Sequence, residues 1–128
     1  MAAPYLIDTD VAIDYLRGHV DAVAFIEGLS SNNSISAITV AELYAGVRDG
    51  SERTTLEGFV RAFLVIPVDA NIAKRGGIFR RDYGKSHGVG LADALIAATA
   101  EAHGTELATL NAKHFPMLPA AHVPYQKP

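Results

Sequence analysis

Residues 4–16 read "PYLIDTDVAIDYL": an apolar run, Tyr5-Leu6-Ile7, stops at Asp8, and two more aspartates, Asp10 and Asp14, crowd against one of the most apolar stretches near the N-terminus. A strand that ends on an acid and passes into a helix is the pattern that recurs along the chain. Ala22, Phe25, Ile26 and Leu29 follow at i, i+3, i+4, i+7, the spacing of one helical face. Polar "SSNNS" breaks that pattern before a second brief apolar run, "ISAI" (35–38), leads into Val40, Leu43, Tyr44 and Val47 at helical period. Leu56, Phe59, Val60 and Phe63 repeat the spacing ahead of "LVIPV" (64–68), a third strand whose Pro67 suits a sheet edge. A helix begins near Asp69, and "LADALIAATAEAH" (91–103) is an alanine-rich helix stopped by Gly104. "ELATL" (106–110) reads as a fourth strand and "AHVPY" (121–125) as a further edge strand. Strands alternating with helices favour parallel pairing, because parallel neighbours need a crossover and that crossover is nearly always right-handed. The expected fold class is α/β: a central, twisted, mainly parallel sheet of four to five strands with helices on both faces.

Composition narrows the class. A chain of 128 residues with 49% hydrophobic and 20% charged residues has the make-up of one folded domain, expected over residues 1–128. No apolar run approaches the roughly 18 residues of a membrane span, and the start lacks the basic, apolar and small-residue order of a signal peptide, so a cytoplasmic protein is expected. Without cysteine there are no disulfides and no thiolate metal ligands; a bound metal must use oxygen or imidazole. A net charge of −3 argues against coating nucleic acid by bulk electrostatics. Locally, "KRGGIFRRDYGK" gathers Lys74, Arg75, Arg80, Arg81 and Lys85 against the single acid Asp82. That strip is either a solvated helix face or a phosphate-contacting surface.

In a parallel sheet, strand C-termini and helix N-termini meet at one edge, where these folds place ligands. Asp8 stands at the end of the first strand, Glu42 in the first turn of the helix after "ISAI", Asp93 in the first turn of the alanine-rich helix, and Asn111 and His114 after the fourth strand. Carboxylates gathered without compensation raise one another's pKa, so convergence calls for a cation; Mg²⁺ or Mn²⁺ suits hard oxygen ligands. Each residue also has a structural explanation. Asp8 and Asp10 can cap a helix, Asp14 reads as a solvated helix residue, and Thr39 with Glu42 reads T-x-x-E, a capping box. Asp93 shares a face with Ile96, Ala97 and Ala100, so its carboxylate needs a ligand or a capping role beside buried apolar surface.

These blocks, taken in order, resemble the PIN-domain ribonucleases, and within them the VapC-type toxins of VapBC toxin-antitoxin systems. "LIDTDVAIDYL" resembles the first block with its leading acid at Asp8, and "ISAITVAELYAGV" the second with its acid at Glu42. "YGKSHGVGLADALIAATAEAHG" resembles the third with Asp93, and "LATLNAKHFP" the fourth, where Asn111 matches the usual asparagine. Where many members carry a further acid at or near the end of that block, this chain carries His114, which can bind Mn²⁺ but is a poor Mg²⁺ ligand. Asp10 replaces an asparagine found in many relatives.

The resemblance implies a toxin that cleaves RNA with Mg²⁺ or Mn²⁺ and arrests translation and growth unless its antitoxin is bound. It assigns Asp8, Glu42 and Asp93 as catalytic and metal-binding acids, with Glu42 acting directly or through water, and Thr39, Asn111 and His114 as supporting or substrate-orienting groups. Lys74, Arg75, Arg80, Arg81 and Lys85 would guide RNA toward the acidic centre. A VapB-type antitoxin and a second copy of the chain are the expected partners, with no membrane. Three other readings compete. A receiver-type phosphoacceptor domain would use Asp8 and Asp10 for Mg²⁺ and Asp69 as acceptor, but leaves Glu42 and Asp93 unexplained. A haloacid-dehalogenase-like phosphatase is suggested by "DTD", though the chain is short for it. An inactive PIN-like binding module is the third.

Overall fold

The computed structural model describes residues 4–30 and 32–127. Its centre is a parallel sheet of β1 (Tyr5–Ile7), β2 (Ser34–Ser36), β3 (Leu64–Ile66) and β4 (Glu106–Ala108) in the order β3-β2-β1-β4. Leu6 pairs with Ser34 on one side and Leu107 on the other, so β1 is central, with Leu6 and Ile7 fully buried. Six helices connect and cover the strands: α1 (Thr9–Leu16), α2 (Val20–Glu27), α3 (Ala37–Ala45), α4 (Ser51–Arg61), α5 (Ala70–His87) and α6 (Leu91–His103). Because side chains alternate across a strand, Leu6 and Leu107 enter one core with Phe79, Val89 and the alanines of α6, while Ile7 and Ala108 enter the other with Val11, Leu43, Leu56 and Phe59. Burial on both faces explains the uninterrupted apolar runs.

β3 lies at the edge, and Pro67 follows it directly, where its missing N–H breaks no ladder. The fifth strand expected at "AHVPY" shrinks to one parallel bridge, Ala108 to His122. His122 donates to the Leu107 carbonyl at 2.8 Å and its carbonyl accepts from Thr109 N at 2.9 Å. The next donor in that ladder would be residue 124, a proline without an N–H, and the strand stops.

The "ISAI" run also divides. Its first half is strand, and α3 starts at Ala37 because Ser36 caps it, its hydroxyl accepting from Ile38 N at 3.0 Å. Glu42 therefore sits in the second turn rather than the first, and the Thr39–Glu42 capping box is not formed. Leu29, Val47 and Phe63 lie just beyond the ends of α2, α3 and α4, so the apolar period outruns each helix while still serving the core.

Gly76 of α5 is buried against Leu95 of α6; a Cβ there would come within 2.6 Å of the leucine side chain and 3.2 Å of its Cα. Glycine on one helix and alanines on the other let the pair pack closely. Gly88, at φ 65°, ends α5 in the left-handed conformation and turns the chain into α6, carrying Asp93 to the sheet's C-terminal edge.

Candidate active site

Asp8 follows β1 in extended conformation and caps α1: one carboxylate oxygen accepts from Thr9 N at 2.8 Å, the other from the Thr109 hydroxyl at 2.7 Å. Asp10, in the first turn of the same helix, accepts from Val11 N at 2.7 Å and from Leu110 N at 3.0 Å, with the Thr109 hydroxyl 3.4 Å away. A single threonine hydroxyl beyond β4 thus faces two carboxylates from the far end of the chain. Asp8 is only 5% exposed. Burial, then the Asp10 charge beside it, with a smaller push from Asp93, raises its pKa to about 7 against the hydrogen bonds from Thr109 and Thr9. Burial raises Asp10 as well, opposed by its backbone donors.

Glu42 reaches this centre through Thr9. The Thr9 hydroxyl lies 2.7 Å from a Glu42 carboxylate oxygen and 2.9 Å from the Thr39 hydroxyl. With its one proton on the carboxylate, Thr9 accepts from Thr39, which is fully buried. Thr9 therefore touches Asp8 by its amide and Glu42 by its side chain. Asp93, half-buried in the first turn of α6, stands 3.7 Å from His114 Nδ1, and Asn111 Nδ2 lies 3.5 Å from the same nitrogen. Asn111 N donates to the Thr109 hydroxyl oxygen at 3.1 Å, tying this group back to Asp8.

The four remote segments meet at one rim, as the topology requires. Thr9 and Thr109 were not singled out in the sequence; Thr9 lies between Asp8 and Asp10 in "DTD", and Thr109 two residues before Asn111 in "ATLN". Asp14 departs from its solvated reading. It is buried and accepts from Tyr125 and Lys127. Asp69, required free by a phosphoacceptor reading, caps α5 by accepting from Ile72 N at 2.8 Å.

Among the described residues, no three carboxylates or imidazoles stand close enough to form a ready-made metal cluster. The donor set still suits a hard divalent ion. Asp8, Asp10 and Glu42 make no ion pair with any Lys, Arg or His among the described residues, and Asp93 faces only His114. Burial first, and then the Asp10 charge, disfavour an ionised Asp8, and a cation would relieve both.

The basic strip on α5 splits. Arg75 is held by Glu101 at 2.7 Å and lies over the Phe79 ring, and Arg81 pairs with Asp82 at 2.8 Å. Lys74, Arg80 and Lys85 are exposed and make no salt bridge among the described residues. With Gly76 opposite Leu95 and α6 beginning at Leu91, the end of α5 at His87 runs about 10 Å past the start of α6. Arg80, Arg81 and Lys85 thus lie level with or beyond the turn that carries Asp93, whereas Lys74 and Arg75 lie further back.

Two grooves flank α1, and one of them reaches the rim. One, about 490 Å³, has Ile13, Leu16, Leu43, Val47 and Leu56 in its lining and reaches Glu42. The other, about 430 Å³, lies between α1, α2 and α4 and shares Leu16 and Thr55 with it.

The family model described as PIN domain matches residues 5–117, which include every member of this site. The chain belongs to the PIN-domain family. This PIN domain is 42% identical to ribonuclease VapC19 of Mycobacterium tuberculosis, over 94% of this chain and 98% of that protein. Ribonuclease VapC10 of the same organism is 40% identical, over 96% and 94%. A toxin-antitoxin complex from Klebsiella pneumoniae contains a chain that superposes with a TM-score of 0.84 at 32% identity, covering 96% of this PIN domain and 99% of that chain. Among the described residues no helix is long and apolar enough to cross a membrane.

Proposed function

We propose that this PIN domain is the toxin of a toxin-antitoxin pair, an endoribonuclease that depends on Mg²⁺ or Mn²⁺ and arrests translation and growth when its antitoxin is absent. The observation that carries the reading is the rim of Asp8, Asp10, Glu42 and Asp93 with no pairing Lys or Arg among the described residues, in a chain similar along nearly its whole length to proteins named ribonucleases. Asp8 and Asp93 would hold the ion, with Glu42 contributing through water or the Thr9 hydroxyl. When bound, such an ion lowers the pKa of a water nucleophile and offsets charge on the phosphoryl oxygens.

The chain's own groups do the rest. Thr109 and Thr9 fix the Asp8 carboxylate, Glu42 would take up a proton from the water nucleophile, and Asn111 and His114, beside Asp93, would orient a phosphate. Arg80 and Lys85 supply phosphate contacts that add affinity without reading bases. The antitoxin reading is supported by the groove beside α1 and α3, which has Ile13, Leu16, Leu43, Val47 and Leu56 in its lining and reaches Glu42, and by the second groove that shares Leu16 and Thr55 with it. An amphipathic segment laid along them could bring an arginine to the carboxylates, where a guanidinium pairs bidentately and competes with the metal. A second copy of the chain is part of the same reading, and Leu64, Val65 and Leu91 leave apolar surface for it.

The deciding experiment incubates purified protein with cellular RNA in Mn²⁺, Mg²⁺ or chelator and maps new 5′ ends. Cleavage that requires the ion and vanishes in Asp93→Asn is expected; ion-independent cleavage, or none in any ion together with no growth arrest on expression, would overturn the reading.

A further inference from the structure

No Lys or Arg near Asp14 in sequence pairs with it, yet its carboxylate is buried and engaged by residues 125 and 127. Tyr125 donates its hydroxyl at 2.8 Å and Lys127 its ammonium at 2.7 Å. The same segment is pinned along its length. Tyr125 stacks on His19 at a ring separation of 5.3 Å, and the His122 ring lies 5.3 Å from Tyr5. The backbone of His122 is bonded to Leu107 and Thr109. Thr109 is the residue whose hydroxyl faces Asp8 and Asp10, and its neighbour Leu110 gives Asp10 its amide. A closed ring of contacts therefore runs from Asp14 in α1, through the terminal segment, to Thr109 and back to the first turn of α1.

We propose that residues 122–127 form a strap that positions the Asp8 and Asp10 carboxylates, with Asp14 as its anchor and Tyr125 and Lys127 as positioning residues. The two carboxylates repel, and among the described residues the Thr109 hydroxyl and the Leu110 amide hold them from across the chain; tying this segment to His122 on one side and to the carboxylates on the other keeps the pair at a fixed separation. Released from His122, Thr109 can follow either acid and the pair can splay. The effect on metal binding rests on the proposed function; the effect on Thr109 does not.

The test uses the full-length protein with Tyr125→Phe, Lys127→Met and Lys127→Arg. Amide hydrogen exchange of the metal-free protein should speed up at Thr109 and Leu110 in the first two variants while Leu6 and Ile7 keep their protection, and Lys127→Arg should restore it. Affinity for Mn²⁺ alone, read from the resonance of the free ion, should fall about tenfold, the range seen when outer partners of metal ligands are lost, and recover in Lys127→Arg. Unchanged exchange at Thr109 and Leu110, or faster exchange at Leu6 and Ile7 to the same degree, would overturn the strap. A parent protein that binds no Mn²⁺ and cleaves no RNA would sink the nuclease reading instead, and the exchange data would still decide the strap.

Discussion

Asp8 and Asp10 at the start of α1, and Asp14 later in the same helix, are one side chain in two opposite circumstances. At the start, carboxylates face carboxylates, burial and the Asp10 charge lift Asp8 to about 7, and its partners are a hydroxyl and an amide. Near the end, burial would also raise Asp14, but hydrogen bonds from Lys127 and Tyr125 and the Lys127 charge outweigh it and leave the carboxyl below its ordinary value. One end meets no cation among the described residues; the other has taken its cation from the chain. Both aspartates are buried, so burial alone does not separate a structural acid from a functional one. The difference lies in whether the protein itself completes the charge.

Exchange of the two roles should break the contrast most visibly at Asp8. Asp8→Asn should abolish RNA cleavage, yet the metal-free variant should melt no lower than the parent above pH 7, since it removes a charge that the fold leaves uncompensated. Thermal melts and cleavage assays on the same preparation check both halves. A fall in activity matched by a fall in melting temperature would place Asp8 with Asp14.

The pH dependence of the metal-free protein comes next in size. Asp8 keeps its proton up to about 7 in the folded state, whereas the unfolded chain releases it near 3.8. The folded state then binds more protons between those values, so this contribution is complete below about pH 4 and is lost as pH rises to 7. Asp14 has the opposite sign: its contribution is present above the unfolded value and lost as pH falls through its lowered folded value. Urea unfolding from pH 4 to 8 should accordingly show stability declining toward neutrality, with the decline reduced in Asp8→Asn to what the raised Asp10 leaves, and suppressed by Mn²⁺.

Asp14→Ala should act through the fold alone. It strands the Tyr125 hydroxyl and the Lys127 ammonium, and because the lysine is half-exposed the cost is about 2 kcal/mol. Denaturant midpoints give the loss directly. The smallest change is expected for Thr109→Val, which keeps volume but removes the hydroxyl between the acids; Mn²⁺ affinity should fall about tenfold. An unchanged affinity would mean the backbone amides alone hold the pair.

The amino-acid order determined more of the site than of its supports. Strand, acid, helix is a local pattern, and parallel crossovers send every such junction to one edge, so Asp8, Asp93 and the segment after β4 had to converge wherever the details fell. Glu42 was legible as a member of the rim but was placed one turn too early, because "ISAI" contains no local mark of where strand yields to helix; Ser36, with a side chain able to cap, decides it. Asp14 was the opposite failure. It stands three residues after Val11 on the stripe that α1 buries, which marks the position as internal, but nothing near it in sequence supplies its charge partner. Lys127 and Tyr125 lie more than a hundred residues away, as does the Thr109 hydroxyl that Asp8 shares with Asp10. Periodicity and capping are short-range and can be read along the chain. Which charge meets which across the molecule depends on how remote segments pack, and only the folded structure settles whether an acid is paired or left for a metal.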